Sequence, residues 1–140
     1  MSALDFSVDV SDAILAGIAS LLDAGSASAF ITLFSGPRPD PGAAAGSAVA
    51  LATIVLAKPA TSLVDHHLVY VPADASGALV MAQGDAVWGR CVTGANVWVW
   101  DADVTGPGGA GPIKIQGASA ELPTRLYAGA LVRLVDLLMA

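Results

Sequence analysis

The stretch AVWGRCVTGANVWVWDADV, Ala86 to Val104, reads as a β-hairpin around which the rest of the chain packs. Two runs rich in β-branched and aromatic residues flank Gly94-Ala95. Gly-X is the two-residue loop of a type II′ turn, because glycine accepts the positive φ needed at the first central position. This loop predicts a register in which Val92 faces Val97, Cys91 faces Trp98, Arg90 faces Val99 and Gly89 faces Trp100. One face then carries Val87, Gly89, Cys91, Trp98, Trp100 and Ala102. It has no charge, so it is assigned to the core. Trp100 lying over the bare backbone of Gly89 fits that assignment. The other face carries Trp88, Arg90, Val92, Val97, Val99 and Asp101, with Arg90 and Asp101 placed diagonally as an ion pair. This second face is too apolar to leave in water, so more of the chain or a partner must cover it.

Working outward, Gln83-Gly84-Asp85 turns the chain into the hairpin, and the glycine-rich loop Gly106 to Pro112 leaves it. Short apolar runs at Ala29–Phe34, Ala48–Leu56, His67–Val71, Ala78–Ala82 and Ile113–Gln116 read as strands bounded by Gly and Pro. In the first, Ile31 and Leu33 point one way and Phe30, Thr32 and Phe34 the other. Ala48–Leu56 is apolar on both faces and ends at Lys58-Pro59. Ala130–Met139 fits helix or strand; strand is chosen, because the neighbouring segments need a pairing partner. Ser11 to Ala24 is the one clear helix, with Ser11 as N-cap, Val10 and Leu15 as a hydrophobic staple, and Ile14, Ile18, Leu21 and Leu22 as its apolar stripe. The prediction is a single domain over residues 1–140: a jelly-roll-like antiparallel β-sandwich of about eight strands with one N-terminal helix, about 11–24.

Between the first two strands lies Gly36-Pro37-Arg38-Pro39-Asp40-Pro41-Gly42. Alternating prolines hold such a segment extended. It reads as a rigid connector, or as a projecting contact arm with Arg38 at its tip.

The composition narrows function. Of 140 residues, 55% are hydrophobic and only 13% charged, with a net charge of −6. Soluble domains average about 25% charged residues, so part of this surface is expected to be buried by a partner. No basic cluster exists, so neither nucleic acid nor an anionic membrane is an expected partner. The single cysteine, Cys91, excludes an internal disulfide framework and reads as a small buried apolar residue. The N-terminal stretch carries acids and lacks the basic region of a signal peptide. The longest weakly polar run, Ala43–Ala57, falls short of the roughly 20 residues that span a bilayer. The expectation is a protein made and kept in a cytoplasm.

Groups that carry chemistry are sparse. Asp65-His66-His67 is the most tempting cluster, but adjacent strand residues point to opposite faces, and no further His or Cys completes a zinc set. Asp101-x-Asp103 places two acids on one side of a strand, too few for an EF-hand-like calcium loop. Gly106–Gly111 has no G-K-[ST] phosphate-loop signature, and Ser35-Gly36 and Ser76-Gly77 lack the surroundings of a nucleophile elbow. The expectation is no catalytic group, no cofactor and no metal. The side chains best placed for a partner interface are Arg38, Trp88, Arg90, Val97 and Val99.

The order of features carries a resemblance. The helix AILAGIASLLDAG leads into FITLFSGPRPDPG; a small-residue strand follows, then GALVMAQGDAVWGRCV, and the chain closes on a strand. This resembles the capsid cement, or decoration, proteins of short-tailed bacteriophages. The resemblance spans nearly the whole chain and rests on segment order and texture. It implies a jelly-roll sandwich that forms a homodimer on the outside of the virion's icosahedral shell and clamps adjacent major capsid protein subunits without chemistry. Two other readings remain open at this point. One is a carbohydrate- or receptor-binding jelly-roll module of a phage tail, using Trp88 or Asp101 and Asp103. The other is a small jelly-roll enzyme with His66 and His67 as metal ligands.

Overall fold

The structure is a computed structural model and describes residues 7–139; the acidic start discussed above lies partly outside this range, in residues 1–6. One helix, α1 (Val8–Leu22), precedes strands β1 (Phe30–Ser35), β2 (Val49–Val64), β3 (His67–Pro72), β4 (Ala78–Leu79), β5 (Gly84–Asp85), β6 (Trp88–Val92), β7 (Trp98–Thr105), β8 (Ile113–Gln116), β9 (Arg125–Leu126), β10 (Leu131–Asp136) and β11 (Leu138–Met139). The chain is mainly β, with the sandwich-like layering and single short helix expected from the sequence.

Nine strands form one sheet in the order β11-β3-β2-β1-β6-β7-β8-β10-β4, and β5 pairs with β9. Both ends of the long sheet return to its own middle. Beyond β10, Leu137 accepts from the Tyr70 N–H at 3.2 Å and β11 pairs with β3. Beyond β4, Val80 bridges to Ala52 and the Met81 N–H donates to Leu51 O at 2.8 Å. The sheet therefore curls around a core that includes Ile31, Leu33, Leu51, Ile113, Ile115 and Val132. All pairings are antiparallel except β7 with β8. Ala130–Met139 is extended, as chosen, but divides at Leu137 into β10 and β11.

The hairpin is present with a different register. Its loop holds three residues, Gly94, Ala95 and Asn96, closed by Asn96 N–H to Thr93 O and Thr93 N–H to Val97 O, both at 2.9 Å. Asn96 takes the left-handed φ of 68°. This is the three-residue hairpin with a bulge, not a two-residue type II′ turn. Glycine at Gly94 serves close approach: a Cβ there would stand 2.2 Å from Ala27 O. The register slips again further on, since Val92 pairs with Trp98 but Cys91 with Trp100, leaving Val99 as an extra residue. Each insertion exchanges faces, so the two together keep Trp100 on the side of Cys91 and Asp101 on the side of Arg90, and only Val97 and Trp98 between them change sides. Arg90 comes to lie directly opposite Asp101 instead of opposite Val99.

Helix α1 starts one turn earlier than expected. Ser7 is the N-cap, and its hydroxyl accepts from the Val10 N–H at 3.2 Å. Ser11 cannot cap, because its own N–H already donates to Ser7 O. With this start the Val10–Leu15 staple is not in register. The buried side chains are Leu15 and Leu22, while Ile14 and Leu21 face outward.

Strand β2 does not stop at Lys58-Pro59, whose peptide bond is cis, but runs on to Val64. Asp65 and His66, at φ 49° and 64°, then make the tight turn into β3. Two residues at positive φ are the signature of a type I′ hairpin. Gly84 and Asp85, expected only to turn the chain into the hairpin, pair with Leu126 and Arg125 as the small β5–β9 ladder.

Two buried acids of high pKa make the fold alkali-sensitive. Burial pushes the Cys91 thiol up to about 12. Burial also pushes the Tyr70 phenol up to about 12, against the hydrogen bond from Trp100. Both values lie above those of an unfolded chain, about 8.5 and 10. The neutral folded forms therefore contribute stability below those values, and it is lost as pH rises toward 12. Each group removes about 1.4 kcal/mol per pH unit inside its window. Urea midpoints should fall steadily between pH 8 and 11, and in Cys91→Ala the fall should begin only near the tyrosine range, about pH 10. A midpoint independent of pH over this range would contradict the burial of both groups.

Candidate functional site

The outer face of the β6–β7 hairpin is covered by the chain itself. The proline-rich segment folds back over it instead of projecting. Arg38 Nη1 pairs with Asp103 Oδ1 at 2.9 Å, and the Gly42 N–H donates to Asp101 Oδ2 at 3.1 Å. Arg90 Nη2 donates to Ala43 O at 2.6 Å. Asp101 is the hub of this face. Its carboxylate also accepts from Arg90 Nε at 2.7 Å, Arg90 Nη2 at 3.1 Å and Trp98 Nε1 at 3.0 Å. Burial alone would raise the Asp101 pKa. The bonds from Arg90, Gly42 and Trp98, with the Arg90 charge, outweigh burial and hold it below the usual carboxylate value.

The five residues expected to form a partner interface are thus divided by the structure. Trp88 and Arg90 come together under the chain's own cover, while Arg38 stays at the surface in an ion pair. Arg38 is spent on Asp103 and Arg90 on Asp101. Trp88, expected at the surface, is fully buried, stacked on Phe34 at 4.2 Å between ring centroids with Arg90 5.2 Å above its ring. Val99 packs against the core, so only Val97, near the hairpin tip, is apolar and exposed. Trp98, expected in the core, lies against Gly42, while Trp100 packs at the core edge with its Nε1 donating to Tyr70 Oη at 3.0 Å.

The histidines do not converge. His66 sits in the turn, not in a strand, and its Nδ1 lies 3.0 Å from Asp12 of α1. His67 Nδ1 lies 2.8 Å from Asp65 O. Among the described residues no group of three His, Cys, Asp or Glu side chains is arranged to hold a metal ion.

The structure instead opens a groove of about 390 Å³ beside β2, lined by Ala52, Ile54, Val55, Leu79, Met81 and Val132 among others. Its origin is local. Strand β3 stops at Pro72, which has no N–H to donate, and the chain turns away through Asp74–Gly77, with Asp74 Oδ1 accepting from Ser76 N and Oγ. Strand β4 then pairs with β10, so β2 and β4 meet only around Ala52 and Val80. The rim is apolar and open to solvent: Met81 is 72% exposed, Leu79 52% and Val55 49%. The lining includes one charged residue, Asp74. The signal for this site in the sequence was Ala48–Leu56, apolar on both faces of one strand. What faces it across the groove is set by the curl of the sheet.

Comparison of the chain with protein-family models, with curated proteins and with solved structures finds no match.

Proposed function

We propose that this protein is a structural binding protein. It docks through the apolar groove and its rim on the outside of a bacteriophage capsid, cementing adjacent major capsid protein subunits as a homodimer. The observation that carries the reading is the exposed rim of Met81, Leu79 and Val55 around an apolar groove. Large apolar side chains clustered in water mark interaction surfaces. Their burial stabilises a complex by roughly 25 cal/mol per Å² before the costs of association. The capsid as the surface comes from the resemblance in segment order. A shell under pressure from its packaged genome fails where subunits meet, and a binder touching both sides of a seam must detach before the seam opens. Two copies joined across a two-fold axis let modest affinities combine through effective concentration. Such apolar contacts depend weakly on salt. In this reading the protein is made in the host cytoplasm and ends on the virion surface, and no catalytic role is assigned. The sugar- or calcium-binding alternative rested on an exposed Trp88 or on Asp101 with Asp103; Trp88 is buried, Asp101 is held by Arg90 and Asp103 is paired with Arg38.

The test combines Leu79→Lys with Met81→Lys. Both side chains are solvent-exposed, so stability should change by no more than about 0.5 kcal/mol each. Binding to heads assembled without the protein should weaken by roughly tenfold or more, and heads carrying wild-type protein should survive heating better than bare heads. Wild-type protein that fails to bind assembled shells, or heads that survive equally with and without it, would sink the capsid reading. A double variant that binds as well as wild type would remove the groove from it.

A further inference from the structure

The segment covering the β6–β7 face has an unusual set of attachments. Residues 36–46 link β1 to β2, and their own turns are closed by Ala43 N–H to Asp40 O at 2.9 Å and Ala48 N–H to Ala45 O at 3.2 Å. Among the described residues, no backbone-to-backbone hydrogen bond joins residues 37–46 to a strand. The ties to the sheet all run through side chains: Arg38 to Asp103, Gly42 N–H to Asp101, and Arg90 to Ala43 O. Gly36 and Gly46, at the two ends, sit at φ 89° and 63°. Trp98 lies against Gly42, and Arg90, which holds Ala43 O, lies over the ring of Trp88; Trp88 is buried against Phe34 yet is not part of the main core cluster.

We propose that Gly36–Gly46 is a strap that opens as a unit of its own, hinged at its terminal glycines and latched over the indoles by Asp101 and Asp103. Opening breaks three hydrogen bonds and uncovers aromatic surface, but it leaves every strand pairing intact. Local openings of this kind need less free energy than unfolding of the sheet. Asp101 is the central latch because one carboxylate holds both the strap, through Gly42, and the sheet, through Arg90 and Trp98. The charged groups around it are Arg90 on β6, Asp103 on β7, and Arg38 and Asp40 on the strap itself. Opened, the strap releases Arg38, frees the side of Trp98 that lies against Gly42, and gives access to Trp88, which is fully buried when it is closed. Any partner for the surface so uncovered would bind only the open form, and its apparent affinity would scale with the open population. None of the strap's residues lines the groove, and its test is independent of capsid binding.

Hydrogen exchange on the full chain reads the opening directly. In wild type the Gly42 and Ala43 amides should exchange faster than the ladder amides of β1 and β6, with little dependence on dilute urea. Asp101→Asn should raise exchange at both strap amides by about tenfold or more and leave the ladder amides of β1 unchanged relative to global stability. Gly42→Ala tests the same latch without removing a charge: its Cβ would stand 3.2 Å from the Trp98 ring, on a backbone at φ 75°. It should raise Ala43 exchange by a similar factor and shift tryptophan emission to the red. If Asp101→Asn does not fold, Gly42→Ala decides alone. Strap amides that exchange at ladder rates with ladder-like urea dependence, or that are unmoved by Gly42→Ala, would overturn the proposal.

Discussion

Trp88→Ala should cost about 3–5 kcal/mol, the range for removing a fully buried large aromatic, and more than Trp100→Ala. The side chain is completely enclosed, stacked on Phe34 with Arg90 over its ring. Its removal leaves a cavity between sheet and strap that neither Phe34 nor Arg90 can fill without giving up its present partners. Trp100 is only partly buried, and its loss removes an edge contact with Tyr70 and one hydrogen bond. The face assignment read from the sequence predicts the opposite order, with Trp100 in the core and Trp88 on the second face. Urea unfolding of both variants therefore tests how far the chain covers that second face. Trp88→Phe should be far milder than Trp88→Ala, because it keeps the stack and deletes an Nε1 that has no protein partner. An equal or larger loss in Trp100→Ala would contradict the structure.

Arg90→Leu should be comparably damaging, about 3–5 kcal/mol, because it strands a buried carboxylate. The Asp101 side chain is 1% exposed and that of Arg90 16%, so solvent cannot replace the lost partner. Arg90→Leu with Asp101→Leu should recover most of the loss, since a buried pair is worth little more than apolar side chains of similar size. The acid limb of stability separates the variants further. The folded Asp101 pKa is depressed, so its contribution is complete above the unfolded value, about 3.9, and is lost as pH falls through the folded one. The double variant should lose less stability than wild type on acidification over that window. Equal losses would mean that Asp101 is not held as the structure places it.

Much of this fold was legible locally. The alternation in FITLF predicts that Ile31 and Leu33 share one face, and the structure buries both. The prolines and glycines that bound each apolar run predict strand ends, and Pro72 does end β3. Period-two patterning and turn chemistry act over a few residues, so a sequence states them directly. The apolar groove was half visible, in a strand apolar on both faces. Its far wall depends on β4 pairing with β10, a choice made by residues distant in sequence.

What only the tertiary structure decided is which of the hairpin's aromatics are covered. Gly94-Ala95 and Gly94-Ala95-Asn96 are both acceptable loops for the same residues, and with the second extra residue, Val99, the longer loop moves only Val97 and Trp98 to the other face. The selection comes from contacts that no local window contains: Gly94 against Ala27, Arg90 opposite Asp101, and Gly42 against Trp98. The strap follows the same logic. Its prolines state that it is extended, but Arg38 finds its carboxylate at Asp103, far along the chain, only once the sheet has brought β7 beside it. Chain stiffness and side-chain periodicity are properties of the sequence. Register and long-range pairing are settled by the whole core packing at once, because each alternative costs little locally and differs only in what it buries together.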